Sequence, residues 1–282
     1  MTPLNLALPK GRMADGVLTL MADAGFKVSP HGRNYRPACA DPRFELKLLK
    51  PQDLVRLVEL GRHDLAFAGR DWVVELDAQV DELLDTGLDA VRIVAAAPED
   101  RLDDLRSRRL VVASEYERIT RAWLDREGYD YDFVRSHGAT EVLPPEDADL
   151  IVDNTATGRT LRENGLAELA TLMTSSTRLI ARPGLMDGPQ AEAAETFLLL
   201  LRSVLDARRR VMLEMNVAEA ALEAVLRELP SMRTPTVMPL WGGTGFAVKA
   251  AVPRPEVARL IPRLRAAGAT DLLETPFSKV VL

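Results

Sequence analysis

The sequence has few of the residues from which many protein sites are built. It contains one cysteine, Cys39, so no disulfide can form within the chain, and a zinc site built from two or more cysteines is excluded. It contains three histidines, His31, His63 and His137, and none falls in an HExxH pattern. This sparing use of cysteine predicts a protein of a reducing cytoplasm.

Long apolar runs are also missing. No stretch approaches the ~20 consecutive apolar residues of a bilayer-spanning helix. Lys10 and Arg12 follow the first apolar stretch instead of preceding it, which is the wrong order for a signal peptide. The 36 basic and 42 acidic residues give a net charge of −6, which excludes a general nucleic-acid or membrane-surface binder. The 282 residues suffice for roughly two domains with a sizeable core.

The first 200 residues alternate short apolar strands with amphipathic helices. This alternation favours parallel βαβ units, and therefore an α/β fold. The predicted strands are Leu4–Leu8, Phe44–Leu49, Leu65–Ala68, Val91–Ala97, Leu110–Ser114 and Leu150–Val152. Helices are predicted at Met13–Ala24, Pro51–Leu60 and Glu115–Glu127. We expect two lobes: residues 1–90 with 177–200, and residues 91–176.

The C-terminal part has a different order of predicted strands and helices. Residues 205–282 predict strands and helices in the order βαββαβ, which is typical of a ferredoxin-like domain. Trp241–Gly245 predicts a hairpin connection between two of its strands.

The segment DLIVDNTATGRTL, from Asp149 to Leu161, is the most informative in the chain. An apolar strand delivers the Asp153 carboxylate, a turn rich in hydroxyls and glycine follows, and then a helix begins. Backbone N–H groups and threonine hydroxyls suit a phosphate, and Asp153 can accept hydrogen bonds from sugar hydroxyls. The segment predicts a ribose 5-phosphate site. The alternative is an ordinary helix start with Thr157 as its N-cap.

Two other turns place cations where a strand gives way to a helix, and a third segment offers a carboxylate. Two cations at a strand end suit a pyrophosphate or a triphosphate. Each turn alone is also consistent with a solvated turn or a local ion pair, but together they predict anion binding between the lobes. The candidate residues are Lys10, Gly11, Arg12, Gly69, Arg70, Asp71 and Glu141. For Glu141 the alternative is a helix first turn.

These segments together resemble the ATP phosphoribosyltransferase family. The resemblance rests on LPKGRM, AGRDWV, GATE, DLIVDNTATGRTLRENGL and TPTVMPL, and it runs nearly end to end. It implies the long form, with a two-lobed catalytic region resembling periplasmic binding proteins and a ferredoxin-like regulatory domain.

The resemblance also implies a reaction. ATP and 5-phosphoribosyl 1-pyrophosphate would give N1-(5-phosphoribosyl)-ATP and pyrophosphate, with Mg²⁺ carried by the substrate and no metal ligand among the protein side chains. Catalytic roles would fall on Lys10, Arg12 and Asp153. The phosphoribosyl loop would comprise Asp153, Asn154, Thr155, Ala156, Thr157, Gly158, Arg159 and Thr160.

The resemblance further implies feedback inhibition by histidine at Asn216 and Thr236, and homo-oligomers in which dimers assemble into hexamers. Asn216 stands where some relatives have a carboxylate that would pair with the histidine α-amino group.

Two alternatives remain open at this point. One is a type I-like phosphoribosyltransferase with another acceptor, although such enzymes carry two adjacent acids and this chain has Asp153-Asn154. The other is a two-lobed solute-binding protein without catalytic activity.

Overall fold

A computed structural model describes residues 3–29, 35–230, 232 and 234–282. The chain forms two compact units, Met1–Thr19 with Lys27–Glu195, and Leu20–Phe26 with Thr196–Leu282. The strands are β1 Leu4–Pro9, β2 Phe44–Leu49, β3 Leu65–Gly69, β4 Asp81–Asp85, β5 Val91–Pro98, β6 Leu110–Ser114, β7 Tyr131–Arg135, β8 Leu150–Thr155, β9 Leu166–Ser175, β10 Thr177–Ala181, β11 Arg210–Val217, β12 Thr236–Pro239, β13 Phe246–Pro253 and β14 Ala269–Pro276. The α-helices are α1 Arg12–Ala24, α2 Pro51–Glu59, α3 Arg70–Glu75, α4 Glu117–Glu127, α5 Arg159–Glu163, α6 Ala191–Arg208, α7 Leu222–Glu228 and α8 Val257–Ala266.

The first unit contains two five-stranded sheets, each the centre of one lobe. The sheet of lobe I has the order β2-β1-β3-β10-β4, and the sheet of lobe II has the order β7-β6-β8-β5-β9. The chain therefore crosses from lobe I to lobe II after β4 and returns to lobe I before β10. This is the two-lobed α/β architecture of the periplasmic-binding-protein type, and it brings the ends of strands from both lobes together.

Both sheets are mixed, whereas the sequence pattern predicts parallel units. The pairs β1–β2, β1–β3, β6–β7 and β6–β8 are parallel, but β10 runs antiparallel to β3 and β4, and β5 runs antiparallel to β8 and β9. The physical reason is the crossing itself, because a strand that enters a lobe from its neighbour runs opposite to the strands that helices connect within the lobe.

The predicted strands and helices recur with small shifts in their ends. The helix predicted at Glu115–Glu127 begins at Glu117, and the strand predicted at Leu150–Val152 continues to Thr155. Four strands of the first unit have no predicted counterpart, namely β4, β7, β9 and β10, although the prediction returns the chain to lobe I at residue 177, where β10 begins. Of the histidines, His63 is buried and His137 is exposed, and His31 lies outside the described residues.

The C-terminal domain lies in the second unit. Its four-stranded antiparallel sheet has the order β12-β13-β11-β14, which is the strand order of a ferredoxin-like βαββαβ fold. Alternate residues of β11 are buried, and with Val225, Leu260 and Leu264 of α7 and α8 they form one apolar core. The hairpin predicted at Trp241–Gly245 is confirmed, since β12 and β13 pair from Pro239 opposite Phe246.

Candidate functional site

A cavity of about 220 Å³ lies between the two lobes of the first unit. Strand ends and helix starts from both sheets line it, as expected for ligand sites in α/β folds. Its lining is Lys10, Arg12, Met13, Pro51, Gln52, Gly69, Asp71, Trp72, Asp89, Val91, Glu115, Tyr116, Asn154, Ser175, Ser176 and Thr177. Five residues predicted from the sequence therefore share one cavity: Lys10, Arg12, Gly69, Asp71 and Asn154.

The cationic turn after β1 lies on one side of this cavity. The Lys10 ammonium lies 3.2 Å from the centroid of the Tyr35 ring, a cation–π contact. Gly11 has a φ of +74°, and the exposed Arg12 begins α1. The turn thus presents two positive charges, one of them backed by an aromatic ring.

Asp71 is buried, and both of its carboxylate oxygens accept hydrogen bonds from lobe II. The Ser175 hydroxyl donates to Oδ1 at 2.6 Å, and the Tyr116 hydroxyl donates to Oδ2 at 2.7 Å. The carboxylate lies so close to Gly69 that a Cβ on that residue would come within 2.2 Å of Oδ1. Glycine at 69 therefore permits an interlobe contact, and Asp71 belongs to the junction of the lobes as well as to the cavity wall.

Arg70 does not line the cavity. Its guanidinium lies 3.8 Å from Glu82 on β4, so its ion pair is with Glu82 and not with the adjacent Asp71. Such an exposed pair contributes little to stability.

Asp153, near the end of β8, is a partly buried carboxylate in an acidic surrounding. Burial raises its pKa to about 6, the backbone N–H of Asn154 (2.7 Å) opposes this, and the charges of Glu141 and Glu115 raise it further. Glu141 lies in a 3₁₀ turn, Thr140–Val142, so the predicted helix first turn is a short 3₁₀ turn. The charge of Glu141 therefore acts on Asp153, but Glu141 does not line the interlobe cavity.

The residues after Asp153 form a compact turn. The Gly158 N–H donates to Thr155 Oγ1 at 2.8 Å, and Gly158 has a φ of +72°, a conformation that favours glycine. A Cβ there would come within 2.6 Å of Glu168 Oε1. Gly158 is itself the N-cap of α5, and no side chain caps that helix, so the alternative of a Thr157 cap is wrong.

The side chains of this turn differ in what they contact. Arg159 pairs with Glu163 at 2.7 Å, which directs its charge along α5. The exposed positions are Asn154, Ala156, Thr157, Arg159 and Thr160, and of the whole segment Asn154 lines the interlobe cavity. The exposed hydroxyls and backbone of the turn remain accessible beside the Asp153 carboxylate.

Several cavity residues are not predicted from the sequence. Tyr116 and Trp72 meet across the lobes with ring centroids 5.0 Å apart, and Ser175–Thr177 bring three consecutive hydroxyls to the crossing strand. The run Ser-Ser-Thr was a visible signal, because hydroxyls at a strand junction are potential donors to phosphate. Tyr116 carried no such signal in the sequence.

The two predicted regulatory residues lie on different strands of the C-terminal sheet. Asn216 on β11 donates from Nδ2 to Asp271 Oδ2 at 2.9 Å, while Thr236 on β12 lies opposite Lys249. Lys249 pairs with Glu214 at 2.9 Å. A carboxylate, Asp271, therefore accompanies Asn216.

Within the described part of the chain, no group of three or more histidine, cysteine, aspartate or glutamate side chains is placed to hold a metal ion. None of its helices has both the length and the apolar character needed to cross a bilayer.

The fold and the cavity define a class: a two-lobed α/β protein with an interlobe cleft and a ferredoxin-like C-terminal domain. Sequence comparison refines this. The family model for ATP phosphoribosyltransferase (HisG) matches residues 50–203, and that for the HisG C-terminal domain matches residues 207–279. The chain belongs to the ATP phosphoribosyltransferase family, in the long form that includes the C-terminal domain. It is thus similar to transferases of the glycosyltransferase type that serve histidine biosynthesis.

Individual members of the family align with nearly the whole length of this chain. The ATP phosphoribosyltransferase of Chlorobium phaeovibrioides is 37% identical over 288 residues, covering 99% of this chain and 97% of that protein. That of Pelotomaculum thermopropionicum is 35% identical, covering 99% of both. Among solved structures, a chain of the ATP phosphoribosyl transferase (HisG:HisZ) complex from Thermotoga maritima is 25% identical with a TM-score of 0.65, over 72% of this chain and 98% of that one.

Proposed function

We propose that the protein transfers the phosphoribosyl group of 5-phosphoribosyl 1-pyrophosphate to N1 of the ATP adenine, releasing pyrophosphate, as the first step of histidine biosynthesis. The observation that best supports the proposal is the partly buried Asp153 carboxylate, which lies directly before the left-handed Gly158 turn and within reach of the charges of Glu141 and Glu115. A carboxylate beside a turn rich in hydroxyl and N–H groups suits a sugar phosphate.

Asp153 would accept hydrogen bonds from the ribose hydroxyls and oppose the positive charge that develops at C1 as the pyrophosphate leaves. Fixed negative charge beside a developing oxocarbenium ion stabilises the transition state more than the ground state. Glu141 and Glu115 add to this negative potential. The phosphate would be held by the N–H and hydroxyl groups of residues 155–160.

Lys10 and Arg12 would neutralise the pyrophosphate or the triphosphate. Both line the cavity on the side of lobe I, and Gly11 between them allows the backbone to approach an anion. The adenine N1 carries no proton, so the reaction needs no general base, and the catalytic contribution would be positioning and charge stabilisation. That requirement fits a cavity built from cations, hydroxyls and carboxylates.

We assign Mg²⁺ to the substrate. Mg²⁺ commonly binds through substrate phosphates and water, with one or two carboxylates at most from the protein. When bound, Mg²⁺ supplies charge neutralisation on the pyrophosphate leaving group.

We also propose a division of labour between the parts of the chain. Residues 1–90 with 177–200 would be catalytic lobe I, residues 91–176 would be catalytic lobe II, and residues 205–282 would bind histidine as a feedback inhibitor through Asn216 and Thr236. The protein would act in the cytoplasm as a homo-oligomer, with dimers assembling into hexamers.

The test uses purified full-length protein with ATP, phosphoribosyl pyrophosphate and Mg²⁺, and inorganic pyrophosphatase to draw the reaction forward. Mass spectrometry should detect phosphoribosyl-ATP, and parallel reactions with orotate or guanine in place of ATP should give no product. A product from another acceptor would support a different phosphoribosyltransferase. Binding of phosphoribosyl pyrophosphate without its consumption by any acceptor would support a binding protein.

A further inference from the structure

Tyr116 is a buried side chain, 2% exposed, to which the reaction as described assigns no role. Its hydroxyl lies between two groups of the cleft. It donates to Asp71 Oδ2 at 2.7 Å, and its oxygen accepts a hydrogen bond from Asn154 Nδ2 at 3.2 Å. The tyrosine thus connects the lobe junction to the residue that follows Asp153.

The donor and acceptor directions of this chain are fixed by chemistry. The Asp71 carboxylate accepts this hydrogen bond, so the single phenolic proton of Tyr116 is used on it. The phenolic oxygen then offers only lone pairs to Asn154, so the NH₂ end of that amide must face the tyrosine. The second proton of this NH₂ group is directed to Asp153 Oδ1, 3.2 Å away.

The tyrosine is itself held in a fixed position relative to β8. The Ser114 hydroxyl donates to the Val152 carbonyl on β8 at 2.6 Å, and it accepts the backbone N–H of Tyr116 at 2.9 Å. The ring of Tyr116 packs against Trp72 at a centroid distance of 5.0 Å. Burial and the neighbouring Asp71 charge raise the pKa of its hydroxyl far above its usual range, so the group stays a neutral donor.

We propose that Tyr116 is a positioning residue, which acts through the Asn154 amide to orient the Asp153 carboxylate at the phosphoribosyl loop. This inference rests on the proposed function, since it takes Asp153 to be the group that contacts the ribose. It goes beyond that function because Tyr116 needs no contact with either substrate. An amide at 154 is required for this connection, since a second carboxylate there would offer no proton to either neighbour.

The first test is Tyr116→Phe, which keeps the ring and removes the hydroxyl. We expect kcat/KM for phosphoribosyl pyrophosphate to fall about tenfold, while KM for ATP changes less than twofold. Tyr131→Phe is the matched control, because it removes the hydroxyl of a half-buried tyrosine in the same lobe, which donates to Asp125 at 2.9 Å at the protein surface. An equal loss in kcat/KM in this control, or none in Tyr116→Phe, would overturn the proposal.

A double-mutant cycle separates positioning from a general structural effect. Asn154→Ala removes an exposed side chain and should give the same loss as Tyr116→Phe. In the Asn154→Ala background, Tyr116→Phe should then have less than a twofold further effect on kcat/KM. Additive losses would contradict action through Asn154.

Failure of the proposed function is distinguishable from failure of this inference. If the wild-type protein forms no phosphoribosyl-ATP, the proposed function fails. If the wild-type protein is active and the cycle is additive, only the positioning role fails. Thermal unfolding of every variant checks its folding, and Asn154→Ala alone still tests the connection should Tyr116→Phe fold poorly.

Discussion

The Glu75 carboxylate, at the end of α3 in lobe I, accepts a hydrogen bond from the backbone N–H of Arg118 at 3.0 Å, at the start of α4 in lobe II. Its other oxygen accepts the N–H of Ile119 at 3.1 Å. Tyr116, the N-cap residue of α4, provides no side-chain cap. The first turn of α4 therefore obtains its cap from the other lobe, which joins the two lobes through a helix terminus.

Replacement of this cap should weaken the first unit. Glu75→Ala leaves two N–H groups of α4 without partners, so we expect the free energy of unfolding to fall by about 2 kcal/mol. Urea denaturation followed by far-UV circular dichroism measures this change. Glu99→Ala, which removes an exposed glutamate at the start of a 3₁₀ turn, should change it by less than about 0.5 kcal/mol. Equal effects of the two variants would argue against the capping role.

The ionised Asp153 carboxylate should destabilise the folded protein at neutral pH. Its pKa in the folded protein, about 6, lies above the ordinary value of 3.8. The contribution of this group to stability is therefore full below pH 3.8 and is lost as the pH rises through 6. Asn does not titrate, so Asp153→Asn should gain up to about 3 kcal/mol over the wild type between pH 4 and pH 8.

Chemical denaturation of the wild type and Asp153→Asn at pH 4, 6 and 8 measures this difference. It should grow with pH and level off above about pH 7. A difference that stays constant with pH would mean that the Asp153 carboxylate is not destabilised by its surroundings.

The Gly158 turn allows a comparison of two glycines. Gly158 and Gly165 both have positive φ angles, +72° and +69°, but a Cβ at 158 would contact Glu168 and Arg162, whereas a Cβ at 165 would meet open space. Each Ala variant should lose about 1 kcal/mol from backbone strain. Only Gly158→Ala should also weaken phosphoribosyl pyrophosphate binding, by about tenfold or more in titration calorimetry. Similar losses of phosphoribosyl pyrophosphate affinity in both variants would contradict a specific role of the Gly158 turn in binding.

Histidine inhibition tests the C-terminal assignment. Asn216→Ala removes the amide that now bonds Asp271, and loss of one hydrogen bond to a charged ligand should raise the half-inhibitory histidine concentration about tenfold. Turnover without histidine is the reference for each protein. Thr275→Ala, at an exposed position of β14, is the control, and histidine should inhibit it as it inhibits the wild type. Unchanged inhibition of Asn216→Ala would remove this residue from the histidine site.

The strongest parts of the sequence prediction are the buried strands. Phe44–Leu49 and Leu110–Ser114 have the predicted bounds, because their apolar runs end at clear turn residues. Of the four strands that the prediction lacks, β4, β7 and β9 are less buried than these. Strand β4, Asp81–Asp85, is acidic and partly exposed at a sheet edge, and β9 is mostly unburied along its length. Whether such segments form strands depends on their pairing with other strands in the folded protein, and the local sequence pattern does not show it.

The site divides in a similar way. Lys10, Arg12 and Asn154 could be predicted to share a cleft because each lies near the end of a strand in its lobe. The role of Asp71 as a lobe-junction residue could not, because its partners Tyr116 and Ser175 are 45 and 104 positions away. Long-range partners of a buried carboxylate leave no periodic signal in the chain.

Turnover by the wild type and by Asp153→Asn decides whether this protein transfers a phosphoribosyl group with the help of Asp153. Wild-type protein and Asp153→Asn are incubated side by side with ATP, phosphoribosyl pyrophosphate, Mg²⁺ and pyrophosphatase, and phosphoribosyl-ATP is quantified by mass. The account predicts product from the wild type and at least a tenfold lower rate from a folded Asp153→Asn. Equal rates would contradict the role of Asp153, and the absence of product from folded wild-type protein would contradict the proposed reaction itself.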